Sequence, residues 1–189
     1  FTTEGVAAGD FDADGQIDVA VATSDPRAAV LVFHGLGTGE FSAPSALPPL
    51  PAQPQVSDGT SAVSVGDLNG DGRDDIVTAA FQLSNQLVIR LSSGSGFAEP
   101  VPLPLPAPVD VQLSDLNGDG KLDAVASNLG QSVSLLSGAG DGTFEAPVGL
   151  SMGPEPVSLA VADFDGDGRA DIAVADLRDN AIRVRLSPR

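Results

Sequence analysis

The sequence predicts an all-β protein built from four copies of one four-stranded unit, and three observations carry that prediction. A nine-residue acidic loop recurs at residues 10–18, 67–75, 115–123 and 163–171. Each copy runs into a short apolar stretch rich in Val, Ile and Ala, the pattern of a buried strand. No stretch combines helical periodicity with helix caps.

The elements follow in a fixed order. The loops start at Asp10, Asp67, Asp115 and Asp163, at spacings of 57, 48 and 48 residues. After each loop and its strand comes a second apolar segment, at 29–33, 86–91, 132–136 and 181–186. The last of these alternates, with Ile182, Val184 and Leu186 on one face and Arg183 and Arg185 on the other. A Gly-rich turn then ends in Phe and, three residues on, Pro: Phe41 and Pro44, Phe97 and Pro100, Phe144 and Pro147. A proline there suits an edge strand, where no ladder hydrogen bond is lost. Further apolar segments at 62–65, 109–113 and 156–161 lead into the next loop.

Four short strands per unit of about 48 residues are the signature of a β-propeller, whose blades pack face to face. We read 1–189 as a single propeller domain or segment, with repeats at approximately 1–60, 61–107, 108–154 and 155–189. Small residues after the loops (Ala20, Ala22, Ala79, Ala126, Ala173, Ala175) fit a crowded inner region. The longer first interval is accounted for by a Pro-rich stretch at 47–59, read as a surface loop between blades. Phe1 to Glu4 match the start of a fourth-strand element, and the chain stops after the third strand of its last unit. Either a four-bladed ring closes, or the chain is part of a larger ring completed by missing sequence or a second copy. Repeat arrays need neighbours to bury their terminal faces, which favours the incomplete ring.

The loops carry the chemistry. Oxygen-bearing side chains stand at position 1 (Asp10, Asp67, Asp115, Asp163), position 3 (Asp12, Asn69, Asn117, Asp165), position 5 (Asp14, Asp71, Asp119, Asp167) and position 9 (Asp18, Asp75, Asp123, Asp171). A backbone carbonyl at position 7 (Gln16, Arg73, Lys121, Arg169) would add a ligand, leaving that side chain free to vary. Calcium takes about six to eight oxygens, and alternate residues of a curling loop aim several at one point. Glycine at position 6 (Gly15, Gly72, Gly120, Gly168) permits the sharp turn. The reading is four Ca²⁺ sites. An EF-hand begins alike but needs a bidentate Glu at position 12 between helices; here that position holds Val21, Thr78, Ala126 and Val174. Ordinary turn chemistry favours the same residues, yet it does not call for three or four carboxylates within nine residues.

Composition narrows the function. The net charge of −17 comes largely from 14 loop carboxylates, which leave 12 acidic residues against 9 basic ones. Four calcium ions would bring the charge to −9, and no basic stripe points to nucleic acid. Without cysteine there is no disulfide framework or thiolate metal site. No apolar run is long enough to span a membrane. The first residue is Phe1 rather than Met, so we expect a processed or excised segment with any signal peptide outside it. There is one histidine, His34, and no Tyr or Trp. His34 reads as a turn residue rather than a general base, since no orienting constellation accompanies it.

The loop pattern, the apolar strand after it and the later Gly-x-Phe-x-x-Pro element resemble FG-GAP/VCBS repeats, such as those of integrin α-chains. The resemblance implies a calcium-binding propeller in which Asp10, Asp12, Asp14, Asp18 and their counterparts are ligands, in a hairpin between the first two strands of a blade. Function in that family varies, so fold does not settle it. Our expectation is a secreted or cell-surface, non-enzymatic scaffold for adhesion or assembly, stiffened by calcium. Its partner would be a protein, an extracellular polymer or its own copies through open blade edges. The alternative is a calcium-dependent lectin-like propeller; a non-catalytic part of a polysaccharide-active enzyme ranks lower.

Overall fold

A computed structural model describes residues 3–25, 29–47, 60–80, 85–94, 96–130 and 132–188. The four sheets follow the sequence repeat. Blade one is β1 (Thr3–Gly9), β2 (Asp18–Thr23), β3 (Val30–Phe33) and β4 (Ser45–Leu47), hydrogen-bonded in that order. Blade two holds β5 (Thr60–Gly66), β6 (Asp75–Ala80) and β7 (Gln86–Arg90). A small hairpin of β8 (Ser92–Ser93) and β9 (Gly96–Phe97) precedes its outer strand, β10 (Val101–Pro104). Blade three runs β11 (Pro108–Ser114), β12 (Asp123–Asn128), β13 (Val133–Leu136) and β14 (Val148–Leu150). The last blade has three described strands, β15 (Pro156–Ala162), β16 (Asp171–Asp176) and β17 (Ala181–Arg185). All pairings within the blades are antiparallel.

The expected strands are therefore present, with one change at the start. Thr3 and Glu4 belong to β1, the first strand of a blade, and not to a fourth-strand element; Phe1 and Thr2 lie outside the described residues. Most of the Pro-rich stretch at 47–59 also lies outside them. Each first strand carries a register shift near its start, between Thr3 and Gly5, Thr60 and Ala62, Pro108 and Asp110, and Pro156 and Ser158. A bulge repeated at one position is a built feature that bends the strand.

The first strands lie side by side, β1 against β5, β5 against β11 and β11 against β15. Residues of all four line one groove of about 300 Å³, among them Glu4, Ala62, Asp110 and Ser158. Asp110 ties two of these strands, accepting from Ser158 Oγ (3.0 Å) and Leu159 N (2.9 Å).

Alternation along the strands gives each blade two apolar faces, and the core is where they meet. The trailing face of blade one (Phe11, Ala20, Ala22, Val30, Val32) packs on the leading face of blade two (Val63, Val65, Ile76). Blade two's trailing face (Val77, Ala79, Leu87, Ile89) meets Val111, Ala124 and Ala126 of blade three. Val125, Val133 and Leu135 then meet Leu159, Ile172 and Val174 of the last blade. Stability resides in these interfaces, because a single four-stranded sheet has no second layer of its own. Leu87 is fully buried in one of them. Leu87→Ala is expected to cost about 2–5 kcal/mol, measured as a lower urea midpoint at unchanged slope.

Candidate metal centres

The four acidic loops join the first strand of each blade to the second, the hairpin position expected from the resemblance. Their local fold is driven by carboxylates competing for backbone amides, the behaviour of Asp and Asn in turns. In the second loop Asp67 Oδ1 accepts from Gly70 N (2.8 Å) and Asp71 N (3.2 Å), while Oδ2 accepts from Gly72 N (2.9 Å). Asn69 Oδ1 accepts from Asp71 N, and Asp71 Oδ1 from Arg73 N. The third loop repeats this with Asp115, Asn117 and Asp119, and the fourth with Asp163, Asp165 and Asp167. In the first loop Asp10 accepts from Asp14 N and Gly15 N, and Asp14 from Gln16 N. Position 1 thus gathers the amides of the turn around one carboxylate. The amides of Gly120 and Gly168 hold the Asp115 and Asp163 carboxyls below the usual carboxylate range.

The expected glycines at position 6 have φ between 80° and 86°. Position 4 also needs positive φ, which the sequence reading missed: Gly70, Gly118 and Gly166 occupy it, but the first loop has Ala13 at φ 61°. An L-residue there carries strain. Ala13→Gly is expected to stabilise the chain by about 1 kcal/mol, read from the urea midpoint.

Position 9 behaves differently from the other three. Asp18, Asp75, Asp123 and Asp171 are buried. One oxygen of each accepts from the amide at position 2 of its loop: Phe11 (3.1 Å), Leu68 (3.0 Å), Leu116 (3.0 Å) and Phe164 (2.9 Å). The other accepts from an amide just beyond the blade's third strand: Gly35, Ser92 and Gly138 (each 2.8 Å) and Ser187 (2.7 Å). Each is a latch that closes the loop and fastens it to the sheet. Burial raises the Asp75 carboxyl above its usual range, against the pull of the Ser92 and Leu68 amides. In Asp123→Ala the Leu116 and Gly138 amides lose their acceptor, so a loss of roughly 2–4 kcal/mol is expected. That loss should persist with a calcium chelator present, in denaturant unfolding.

Three-carboxylate gatherings form at both ends of the series. Ligand oxygens of Asp10, Asp12 and Asp14 lie within 4.8 Å of one another, as do those of Asp163, Asp165 and Asp171. The middle loops have Asn69 and Asn117 where the outer ones have Asp12 and Asp165, so they collect an amide oxygen in place of a third charge. At position 7, the side chain of Arg73 reaches back to Asp71, 3.5 Å from Nη1 to Oδ2. His34 lies beside the first loop, Nδ1 3.1 Å from Asp18 Oδ2 and 3.5 Å from Asp12 Oδ2. Its place at a strand end was legible; its contact with the loop was not. The donors at positions 1, 3, 5 and 9 are all hard oxygens, a set that fits a hard divalent cation. Such an ion would be held by positions 1, 3 and 5, with position 9 as a further donor, and would relieve the repulsion among them.

Sheets of this order bearing such loops define a propeller-type repeat protein. The FG-GAP-like repeat model matches residues 10–78 and 115–174, and the chain belongs to that family. No curated protein matches its sequence significantly. Solved structures agree on the fold. An Agrocybe aegerita lectin specific for non-reducing terminal N-acetylglucosamine matches with a TM-score of 0.57 at 21% identity, over 89% of this chain and 45% of that one. BBS1N, solved in complex with ARL6DN, matches at 0.64 and 14%, over 98% and 51%. The V. cholerae biofilm matrix protein Bap1 matches at 0.53 and 20%, over 95% and 26%. At these identities the likeness speaks for the β-propeller fold alone, and the chain spans about half or less of each protein.

Proposed function

We propose that this chain is an extracellular, calcium-stabilised propeller segment that acts as a non-enzymatic scaffold for binding, adhesion or assembly. The observation that carries the reading is the repeated loop, with its carboxylates gathered at one point and its backbone already latched in place. Four such loops would take four Ca²⁺ ions. Extracellular modules bind calcium with Kd of about 10⁻⁴–10⁻³ M, so the sites would fill outside cells and stay largely empty in cytosol. A secreted or surface-attached location follows from that chemistry. Among the described residues no helix is long and apolar enough to cross a membrane.

The partner is a protein or an extracellular polymer. Bap1, a biofilm matrix protein, and BBS1N, bound to ARL6DN, indicate that this fold serves such ends elsewhere. A second reading is a calcium-dependent carbohydrate-binding propeller, supported by the likeness to the Agrocybe aegerita lectin. It would use the groove between the first strands or the loops, and a glycan-array signal abolished by chelator would favour it.

Thermal unfolding with and without calcium tests the proposal. Saturating calcium adds about 2.7 kcal/mol at one hundred times Kd for a single site, so Tm should rise by roughly 5–10 °C. In the absence of calcium, Asp119→Ala should cost less than about 1 kcal/mol, while losing part of the calcium-induced rise. A Tm and a protease resistance indifferent to both calcium and chelator would contradict the reading.

A further inference from the structure

We propose that the first blade carries a transition-metal site that the other three lack, formed by Asp12, Asp18 and His34 and suited to Zn²⁺. Ligand atoms of these three residues lie within 4.8 Å of one another. The proposed calcium positions would use oxygen donors alone. Here an imidazole nitrogen joins them, from outside the acidic loop.

The fold places each donor. Asp18 is buried, and its carboxylate is pinned by the amides of Phe11 and Gly35. Asp12 turns Oδ1 inward to the Asp14 amide (3.2 Å) and Oδ2 towards the ring of His34. His34 stands just beyond β3 with its backbone held twice by Ser42. Its amide donates to Ser42 Oγ (3.0 Å), and its carbonyl accepts from Ser42 N (2.8 Å). The turn, the start of the second strand and the exit of the third thus supply one donor each.

The distances suit one small cation. His34 Nδ1 lies 3.1 Å from Asp18 Oδ2 and 3.5 Å from Asp12 Oδ2. A single N–H can point at one of these oxygens, whereas an ion between them addresses both. Tetrahedral zinc with bonds of about 2.0–2.2 Å sets neighbouring donors about 3.3–3.6 Å apart. Shifts of a few tenths of an ångström would bring the three atoms to that spacing. The neutral imidazole would ligate through Nδ1 with its proton on Nε2, so the metal takes the place of a proton between Nδ1 and Asp18. The two carboxylates balance the charge of a divalent ion. The side chains of Asp12 and His34 are 36% and 39% exposed, which leaves a way in and room for water as a fourth ligand.

The donor set decides which metal. Calcium takes oxygen ligands, while imidazole suits zinc and its transition-metal neighbours. The residue before the latched amide is His34 in blade one, and Leu91, Ser137 and Leu186 in the other three. None of those three offers nitrogen. Leu91 packs among the side chains between blades two and three. By the same repeat position, His34 lies on the side of blade one that meets blade two, inside the described series of blades. Asp12 also belongs to the Asp10, Asp12 and Asp14 gathering, so the zinc position adjoins the first calcium position and shares one residue with it.

The chain has one histidine and no cysteine, so an imidazole signal from a bound metal identifies His34 directly. Calorimetric titration of the untagged, chelator-treated protein with Zn²⁺ should show one tight equivalent, ahead of weaker uptake by the carboxylates. His34→Gln keeps a hydrogen-bonding side chain beside Asp18 but gives up the imidazole. Losing an outer-shell partner costs about 10–100-fold in metal affinity, so losing a direct ligand should weaken that equivalent by at least about tenfold. Co²⁺ in place of zinc should produce paramagnetically shifted imidazole ring resonances in the parent chain and none in the variant. The variant should keep its fold by circular dichroism and its calcium-induced rise in Tm, so the zinc site and the calcium reading can fail separately. Zinc held as tightly by the variant as by the parent would overturn the proposal. So would cobalt binding without shifted imidazole signals in the parent chain, a result that stands whether or not the variant folds.

Discussion

A buried aspartate at the end of each acidic loop is the interaction on which the rest depends. Its two oxygens take the amide at the loop's second residue and an amide beyond the blade's third strand. One side chain thereby joins the hairpin loop, the second strand and the exit of the third. A buried charge is tolerable only when hydrogen bonds compensate its desolvation, and here two backbone donors do so in every blade. The consequence is that the backbone of the loop is shaped by hydrogen bonds from its own chain.

The blades are held by a different force. Their contact surfaces are apolar, with small side chains on the second strand facing larger ones on the third, as with Ala79 against Leu87 and Ala22 against Val30. The second and third sheets each bury both faces between neighbours. The latch and the blade contact meet at position 2 of the loop. Its amide is held by the aspartate, and its side chain (Phe11 or Leu68) is buried against the next blade. The acidic loop and the blade packing therefore meet in one residue.

Much of this was legible in the sequence because the repeat marks its own boundaries. The loop spacing located the hairpins, and the apolar runs located the second and third strands to within a residue or two. Glycine at position 6 declared its own backbone angle. What could not be read was what a shared residue type conceals. An aspartate that also latches backbone amides looks the same in sequence as one that does not, so the second role of position 9 could not be read. Ala13 gives no sign of a positive φ until the other three loops are superposed on it. The alternation of Ile182 with Arg183 identified a strand with two unlike faces, but it could not say that the apolar face is the one turned outward. That depends on which blade comes next, which is tertiary information.

The central claim is that the latch shapes the loops independently of the ion. Amide hydrogen exchange, measured residue by residue in the presence of a calcium chelator, tests it most directly. The account predicts that the amides of Leu68, Leu116 and Gly138, held by buried aspartates, stay protected without calcium. The exposed turn amides of Gly72 and Gly120 should exchange quickly until calcium is added. If the latch amides exchanged as fast as the turn amides once calcium was removed, the loops would owe their shape to the metal, and the account would be wrong.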